Sequence, residues 1–242
     1  MVSEKPVIVI IGASLAGIPT AHSLLEDINY KVILINSSPT LYHTVAGPRI
    51  MAKPTHSTRK ITSSESDQLL FGTLIKNAQD AITSASSIVI GGAGPIGVEL
   101  AGEIAEALEQ RGEPMGITIV SAWHRALPTL KKSASKAVES LLAQKNCNMS
   151  TDNKIWDITL DSAHQITADL NIPTTGVVPN NSFIPREWLD DGGWVKSELR
   201  GLVNHDEQHP IYAAGHISNS MRLAIKAAEH AAVLATNKND IC

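Results

Sequence analysis

Two glycine-rich segments have the spacing of loops that bind a pyrophosphate. Both follow the pattern G-x-G-x-x-G, although serine replaces the middle glycine of the first; the positions are Gly12, Ser14 and Gly17, and Gly92, Gly94 and Gly97. Glycines permit a tight turn and a close approach of the backbone, and the helix that begins there directs free N–H groups at negative charge. The pattern predicts dinucleotide binding. The alternative is that the glycines only allow a helix to pack against a strand.

The residues expected to meet the ribose are unusual in both segments. A dinucleotide site usually carries Asp or Glu about 20 residues after the glycines, where the carboxylate accepts the ribose hydroxyls. Asn36 stands at this position in the first segment and brings no charge, and the second segment reads Ser121–Arg125 without an acid. Arg125 has the charge to meet a ribose 2′-phosphate, which would favour NADP over NAD. The alternative is an arginine at the surface with no ligand.

Each glycine turn must be positioned by the strand before it and the helix after it. The continuous β-branched run Val7–Ile11 is typical of a strand covered on both faces, and a helix at 18–26 and an apolar run at 31–35 follow. The same order repeats over residues 87–120. Strand, glycine turn, helix and strand form a βαβ unit. The sequence therefore predicts an α/β protein with two Rossmann-like parallel-sheet units.

The remaining segments are predicted from composition and periodicity. Residues 44–66 are rich in Pro, Ser, Thr and Lys, which indicates irregular surface chain. One more buried strand is predicted at 211–215, and further helices are predicted at 67–84, 133–144 and 221–236.

Composition and charge exclude several classes of function. The chain has 242 residues, 43% of them hydrophobic and 18% charged, as in soluble globular proteins. A net charge of −4 offers no basic field to nucleic acid. Cys147 and Cys242 form no C-x-x-C pair, and the histidines lack metal-ligand spacing, so we predict neither a redox dithiol nor a metal site. No apolar run reaches the length of a membrane span, and we expect a cytoplasmic protein.

Five motifs in order resemble the AMID-like (apoptosis-inducing-factor-like) FAD and NAD(P)H oxidoreductases of the pyridine nucleotide-disulfide reductase superfamily. The motifs are VIIGASLAG at 9–17, YHTVAGPR at 42–49, GAGPIGVELAGEI at 92–104, TGVVPN at 175–180 and IYAAGH at 211–216. The resemblance implies a FAD-type Rossmann domain formed by residues 1–84 and 205–242. It also implies an NAD(P)-type Rossmann domain, residues 85–204, inserted between them.

Three departures from the family pattern weaken the FAD site. The family ends a strand in Gly-Asp, whose carboxylate holds the flavin's ribityl and phosphate region, whereas this chain has Gly215 and His216. Asn36 replaces the ribose acid. The interval between Arg49 and the second glycine turn lacks the strands and the Ala-Thr-Gly motif that cover the flavin in the family. We therefore expect no tightly bound cofactor, with FAD or NAD(P) as the ligands that the fold would take.

The resemblance also implies roles for four polar residues. Glu99 matches the acid near the nicotinamide and flavin rings, and His43 and Arg49 match a segment that passes the flavin, where they could bind an anionic or carbonyl group. His216 would lie at the mouth of the vacated cleft, where it could give or take a proton. The alternatives are a solvated helix residue for Glu99 and a structural helix cap for His216.

These observations favour a flavin-depleted enzyme that acts on a small specialised metabolite. The expected chemistry is non-redox proton transfer, such as isomerisation or cyclisation, with His216, Glu99 and His43 as catalytic residues. Two alternatives stay open, an NAD(P)H-dependent FAD oxidoreductase and a non-catalytic protein that binds a nucleotide or a partner. A FAD domain without its middle strands would expose apolar surface, which predicts a homodimer.

Overall fold

The computed structural model describes residues 5–26, 30–37, 46–53, 65–113, 115–150, 168–197, 202–204, 210–219 and 224–236. Strands and helices alternate along this part of the chain. The strands are β1 (Val7–Ile11), β2 (Lys31–Ile35), β3 (Ile88–Gly91), β4 (Ile117–Val120), β5 (Cys147–Ser150), β6 (Leu170–Pro173), β7 (Leu202–Asn204) and β8 (Ile211–Tyr212). The helices are α1 (Gly17–Leu25), α2 (Gly47–Ala52), α3 (Glu65–Ser84), α4 (Pro95–Arg111), α5 (Lys132–Gln144) and α6 (Ala224–Thr236). Of these helices, none is both long and apolar enough to span a membrane.

The chain forms two compact units, one inserted into the sequence of the other. The first unit comprises Met1–His43, Ile61–Ser63 and Val177–Cys242, and the second comprises Thr44–Lys60 and Ser64–Gly176. Both contain parallel strands joined through helices. The predicted α/β class with two parallel-sheet units is confirmed.

The second unit is built on a four-stranded parallel sheet in the order β5-β4-β3-β6. Its central strands are buried, with Ile88, Ile90, Ile117 and Ile119 at most 1% exposed. Burying each such isoleucine stabilises the unit by about 1.5–3 kcal/mol. Helix α4 packs on these strands and belongs to the same hydrophobic core. This core holds the ends of β3 and β4 in fixed register beside the second glycine turn.

The first unit contains a smaller sheet with one open face. β1 and β2 pair in parallel, and α1 packs against them and against α6. The side chains of Val7, Val9 and Ile11 share one face with Ile33 and Ile35, and all five are 38–69% exposed. The prediction that β1 is covered on both faces is therefore wrong for the described residues, because only the α1 side of this two-stranded sheet is packed. The homodimer expected from exposed apolar surface stays a prediction.

Two local predictions also differ from the structure. Residues 47–52 form helix α2 instead of irregular chain. Ile50 of this helix is buried, and its carbonyl accepts a hydrogen bond from Gln79 Nε2 of α3 at 2.7 Å. Pro48 starts the helix because the first turn needs no N–H donor there. The strand predicted at 211–215 is reduced to β8, which pairs antiparallel with β7 and leaves Ile211 exposed.

The compact units group the chain differently from the division predicted by the family resemblance. Helix α2 packs against both α3 and α4, and all three helices belong to the second unit. Val195 exchanges backbone hydrogen bonds with Ile217 and Asn219, which ties the segment after residue 177 to the first unit. The division into 1–84 with 205–242 and 85–204 stays a prediction about the domain type of each segment.

Two glycines of α4 differ sharply in the space around them. A Cβ at Gly97 would lie 2.0 Å from the Gly92 carbonyl oxygen, whereas a Cβ at Gly102 would meet nothing within 4 Å. We expect Gly97→Ala to lower the free energy of unfolding by about 3 kcal/mol, which is roughly 6 to 12 °C in melting temperature. Thermal denaturation followed by circular dichroism measures this loss.

Gly102→Ala is the matched control, because it places the same methyl group on the same helix. It should raise the free energy of unfolding by up to about 1 kcal/mol, since alanine favours helix more than glycine does. Equal melting temperatures for the two variants would contradict the tight packing at Gly97.

Candidate functional site

The second glycine turn joins the end of β3 to the start of α4. The Gly92 N–H donates to the Val120 carbonyl at 2.8 Å, and its φ of +119° lies in the region that glycine favours. Gly97 is required by packing, but Gly94 has no neighbour within 4 Å of its Cβ position. No side chain caps α4, and its first turn carries no acid. Packing requires a glycine at position 97 but not at position 94. The backbone at Gly94 borders open space, through which a pyrophosphate could approach.

Thr174 is a residue of this turn that sequence analysis missed. Its hydroxyl donates to the carbonyl oxygens of Gly91 and Gly92, at 3.0 and 3.1 Å, and its N–H donates to Gly91 O at 2.7 Å. The contact arises because β6 pairs with β3. No local sequence pattern connects Thr174 with the glycine turn, because the two lie more than 80 residues apart in the chain. Thr174 fixes the turn from the sheet side.

The loop after β4 folds back onto the same turn. Leu127, with a φ of +47°, donates its N–H to the Ala93 carbonyl at 2.8 Å. Arg125 holds the loop in shape: its guanidinium donates to Leu130 O at 2.9 Å, to Ser135 Oγ at 3.0 Å and to the Pro128 carbonyl. The arginine predicted to meet a 2′-phosphate therefore makes its described hydrogen bonds within its own loop and α5.

We expect Arg125→Gln to destabilise the protein by about 2 kcal/mol, because the loop loses a charged donor to three acceptors. Differential scanning calorimetry measures the change, with the exposed helix-end substitution Arg111→Gln as the charge-matched control. If Arg125→Gln kept the wild-type melting temperature but lost affinity for NADPH relative to NADH, the phosphate role would be favoured instead.

The first glycine turn has the same backbone form but different polar surroundings. Gly12 has a φ of +107°, and a Cβ at Gly17 would lie 1.8 Å from the Gly12 carbonyl oxygen. Ser14 is exposed. Asn36 Oδ1 accepts the Ala13 N–H at 3.0 Å. The side chain at the ribose position thus accepts a hydrogen bond from the turn itself and brings no carboxylate to it.

The structure brings Gly215 and His216 to this first turn. Gly215 has a φ of +81°, and a Cβ there would lie 3.0 Å from the Cβ of Ala16, the residue immediately before α1. Its N–H donates to His230 Nδ1 at 3.3 Å, and its carbonyl accepts from the Ser218 hydroxyl at 2.9 Å. His216 is exposed in a single 3-10 turn, Gly215–Ile217, well before α6 begins. In the first unit, Ser14 and Asn36 thus follow the carboxyl ends of β1 and β2, and His216 follows the glycine that contacts the residue before α1.

Arg49, predicted to bind a cofactor, forms an ion pair between α2 and α4. Its Nη2 lies 2.8 Å from Glu103 Oε1, and Lys53 Nζ lies 3.3 Å from Glu103 Oε2 and 3.1 Å from Glu106 Oε1. Partial desolvation raises the pKa of Glu103, but the hydrogen bonds and charges of Arg49 and Lys53 outweigh it, so the net pKa lies below its usual value. These charges fasten α2 to α4, and Arg49 remains half-exposed.

This ion pair predicts a pH-dependent stability. A carboxylate with a lowered pKa stabilises the fold above its unfolded value, near 4.5, and loses that contribution as the pH falls through the folded value. Glu103→Gln should therefore have a lower melting temperature than wild type at neutral pH, with a gap that narrows well below pH 4.5. The control is Glu99→Gln, at an exposed position one turn earlier on α4, which should differ less from wild type in melting temperature. If the difference in melting temperature between wild type and Glu103→Gln is the same at every pH, the variant loses stability through altered packing and not through the ion pair.

The remaining predicted residues fall in separate parts of the chain. Glu99 is exposed on α4 in the second unit, whereas His216 belongs to the first. His43 lies outside the described residues.

Cys147 is a buried thiol whose pKa is raised to about 11 by desolvation, so it is a poor nucleophile. Within the described ranges, no group of three or more His, Cys, Asp or Glu side chains is placed to hold a metal ion.

Two glycine turns at the ends of parallel strands, one unit inserted into the other, define a dinucleotide-binding α/β fold of the oxidoreductase type. The chain belongs to the pyridine nucleotide-disulphide oxidoreductase family, whose model matches residues 51–231. The family fold takes FAD and NAD(P).

Fungal oxidoreductases are among the relatives of this chain. It is 25% identical to oxidoreductase ptaL of Pestalotiopsis fici, over 88% of this chain and 77% of ptaL. It is 29% identical to oxidoreductase phnG of Penicillium herquei and 26% identical to the FAD-dependent oxidoreductase FVFD30 of Flammulina velutipes, over 60% and 67% of this chain. The chain spans only 41% of phnG and 53% of FVFD30. The alignment with ptaL is 291 positions long, more than the 242 residues of this chain, so ptaL contains residues with no counterpart here.

Solved structures share the fold at low sequence identity. The ferredoxin reductase for the CYP199A2 system from Rhodopseudomonas palustris is similar with a TM-score of 0.74 and 15% identity, over 98% of this chain and 76% of that one. The reduced CoADR-RHD of Bacillus anthracis has a TM-score of 0.72 and 15% identity, over 98% of this chain and 57% of that one.

Proposed function

We propose that this chain is an AMID-like member of its family with a degraded FAD site, which retains nucleotide binding at the second glycine turn. In this proposal it acts on a small specialised metabolite by non-redox proton transfer, such as isomerisation or cyclisation. The observation that carries the proposal is the hydrogen bond from the Ala13 N–H to Asn36 Oδ1, 3.0 Å long. An oxygen that accepts the turn's own N–H, on a side chain without charge, is a weak substitute for a carboxylate facing ribose hydroxyls.

His216 supports the loss of FAD and supplies the chemistry. It follows Gly215, whose close contact with Ala16 keeps it at the first turn. A neutral imidazole accepts one hydrogen bond and a protonated one accepts none, so histidine is a poor replacement for the carboxylate of Gly-Asp. Imidazole can also act as a general acid or base, which is what isomerisation and cyclisation require.

The open sheet face supports the proposal independently. Residues of ptaL have no counterpart in this chain, and β1 and β2 leave five apolar side chains exposed on one face. Parallel sheets are normally covered on both faces. Loss of a covering segment accounts for both observations, and a flavin held partly by such a segment would bind less tightly.

The second glycine turn fits a dinucleotide better than the first. Its middle position, Gly94, opens to free space, and the uncapped start of α4 would direct backbone N–H groups at a pyrophosphate. When bound, a nicotinamide dinucleotide supplies hydride-transfer chemistry. This fit favours a second candidate function, an NAD(P)H-dependent FAD oxidoreductase, which also agrees with the names of the relatives ptaL, phnG and FVFD30.

Restoring the missing acids tests the proposed loss of FAD. We expect the purified wild-type protein to be colourless and to show no change in melting temperature with added FAD. The double variant Asn36→Asp, His216→Asp should gain FAD affinity by at least about tenfold, because each change provides a charged acceptor. Flavin absorbance after heat release and calorimetric titration with FAD measure the two quantities.

The matched control replaces the same two residues without adding charge. Asn36→Ser with His216→Asn should bind FAD no better than wild type. Stoichiometric flavin in the freshly purified wild-type protein would refute the proposal and favour the FAD oxidoreductase.

A further inference from the structure

Trp123 is a large aromatic side chain held out into solvent next to the second glycine turn. It is 65% exposed, although an indole has more apolar surface to bury than any other side chain near this turn. It belongs to the second unit, as does the turn, and follows β4 by three residues. Neither packing nor the family motifs account for its position.

The loop that carries Trp123 is attached to the glycine turn at both ends. At one end, the Val120 carbonyl accepts the Gly92 N–H at 2.8 Å; at the other, the Leu127 N–H donates to Ala93 O at 2.8 Å. Three residues of extended chain span at most about 11 Å. The indole therefore lies within reach of a ligand whose phosphates occupy the turn.

Internal hydrogen bonds fix the backbone of this loop. Ser121, which is 2% exposed, accepts the Trp123 N–H on its Oγ at 3.1 Å. Glu139 Oε1 accepts the Ala126 N–H at 2.9 Å, and Arg125 bonds to the carbonyls and hydroxyl described above. A preorganised support for an exposed aromatic ring is what a stacking site requires, because little backbone freedom is then lost on binding.

The same loop lacks the charged groups that usually recognise the adenosine end of a dinucleotide. Residues 121–127 contain no Asp or Glu that could accept ribose hydroxyls, and Arg125 uses its guanidinium within the loop. Recognition at this end of the turn must therefore come from another interaction. An aromatic face provides one, since every nucleobase has a π-face on which indole can stack.

We propose that Trp123 stacks on the adenine of a dinucleotide held at the second glycine turn and supplies the main affinity for that end of the ligand. This inference rests on the proposed retention of nucleotide binding at that turn. It does not depend on FAD or on the chemistry at His216. Removing a stacked base partner should weaken binding by about tenfold.

Calorimetric titration with NADH, ADP and nicotinamide mononucleotide tests the inference without an activity assay. Trp123→Ala should weaken NADH and ADP binding by about tenfold, while Trp123→Phe, which keeps an aromatic face, should stay within about threefold of wild type. The affinity for nicotinamide mononucleotide, which has no adenine, should be the same in all three proteins. Circular dichroism verifies that each variant is folded.

Indole fluorescence gives a second readout on the wild-type protein. ADP should quench the emission of wild type, and Trp123→Phe should show no such quenching, which keeps the test decisive even if Trp123→Ala fails to fold. If the wild-type protein binds NADH and ADP and Trp123→Ala binds them with the same affinity, the stacking role alone is overturned. Binding of no nucleotide by the wild-type protein would overturn both this inference and the retained nucleotide site.

Discussion

The contact between a helix start and the carbonyl of a glycine turn is the constraint on which the rest of the structure depends. At Gly97 and Gly17 a Cβ would lie 2.0 and 1.8 Å from the carbonyl oxygens of Gly92 and Gly12. The helix can therefore begin directly over the strand end, so that a parallel sheet with short connections forms. In the second unit this contact also places Ala93 where the loop after β4 can bind it.

The two turns share this packing but differ in what surrounds them. Thr174 and the Leu127 loop support the second turn from both sides, and its middle residue, Gly94, opens to free space. In the first turn, the Ala13 N–H donates to a neighbouring side chain, Asn36 Oδ1. Similar backbone geometry thus presents different polar groups at the two turns, and the difference resides in the side chains around them.

Periodicity predicted the βαβ elements well because their strands and helices are determined by local pattern. β1, β2 and α5 lie within a few residues of their predicted bounds, and β3, α4 and β4 follow one another in the predicted order over residues 87–120. The partners of site residues were not predictable in this way. Arg49 meets Glu103 and Thr174 meets Gly91 across 54 and 83 residues of sequence, through helix packing and strand order that no local pattern encodes. Arg125 shows the same limit, since its charge predicted a ligand but its geometry favours its own loop.

Packing also explains how a glycine pattern can outlast a ligand. Any side chain at Gly17 would collide with the turn, so this glycine is needed whether or not a nucleotide binds. Asn36 and His216 take no part in this contact, so it does not restrict which side chains stand at those two positions. Gly94 is informative for the opposite reason: its Cβ position is empty, so stability alone does not require glycine there. Within this motif, the glycine that packing does not require therefore carries more information about a ligand than the glycine that packing does require.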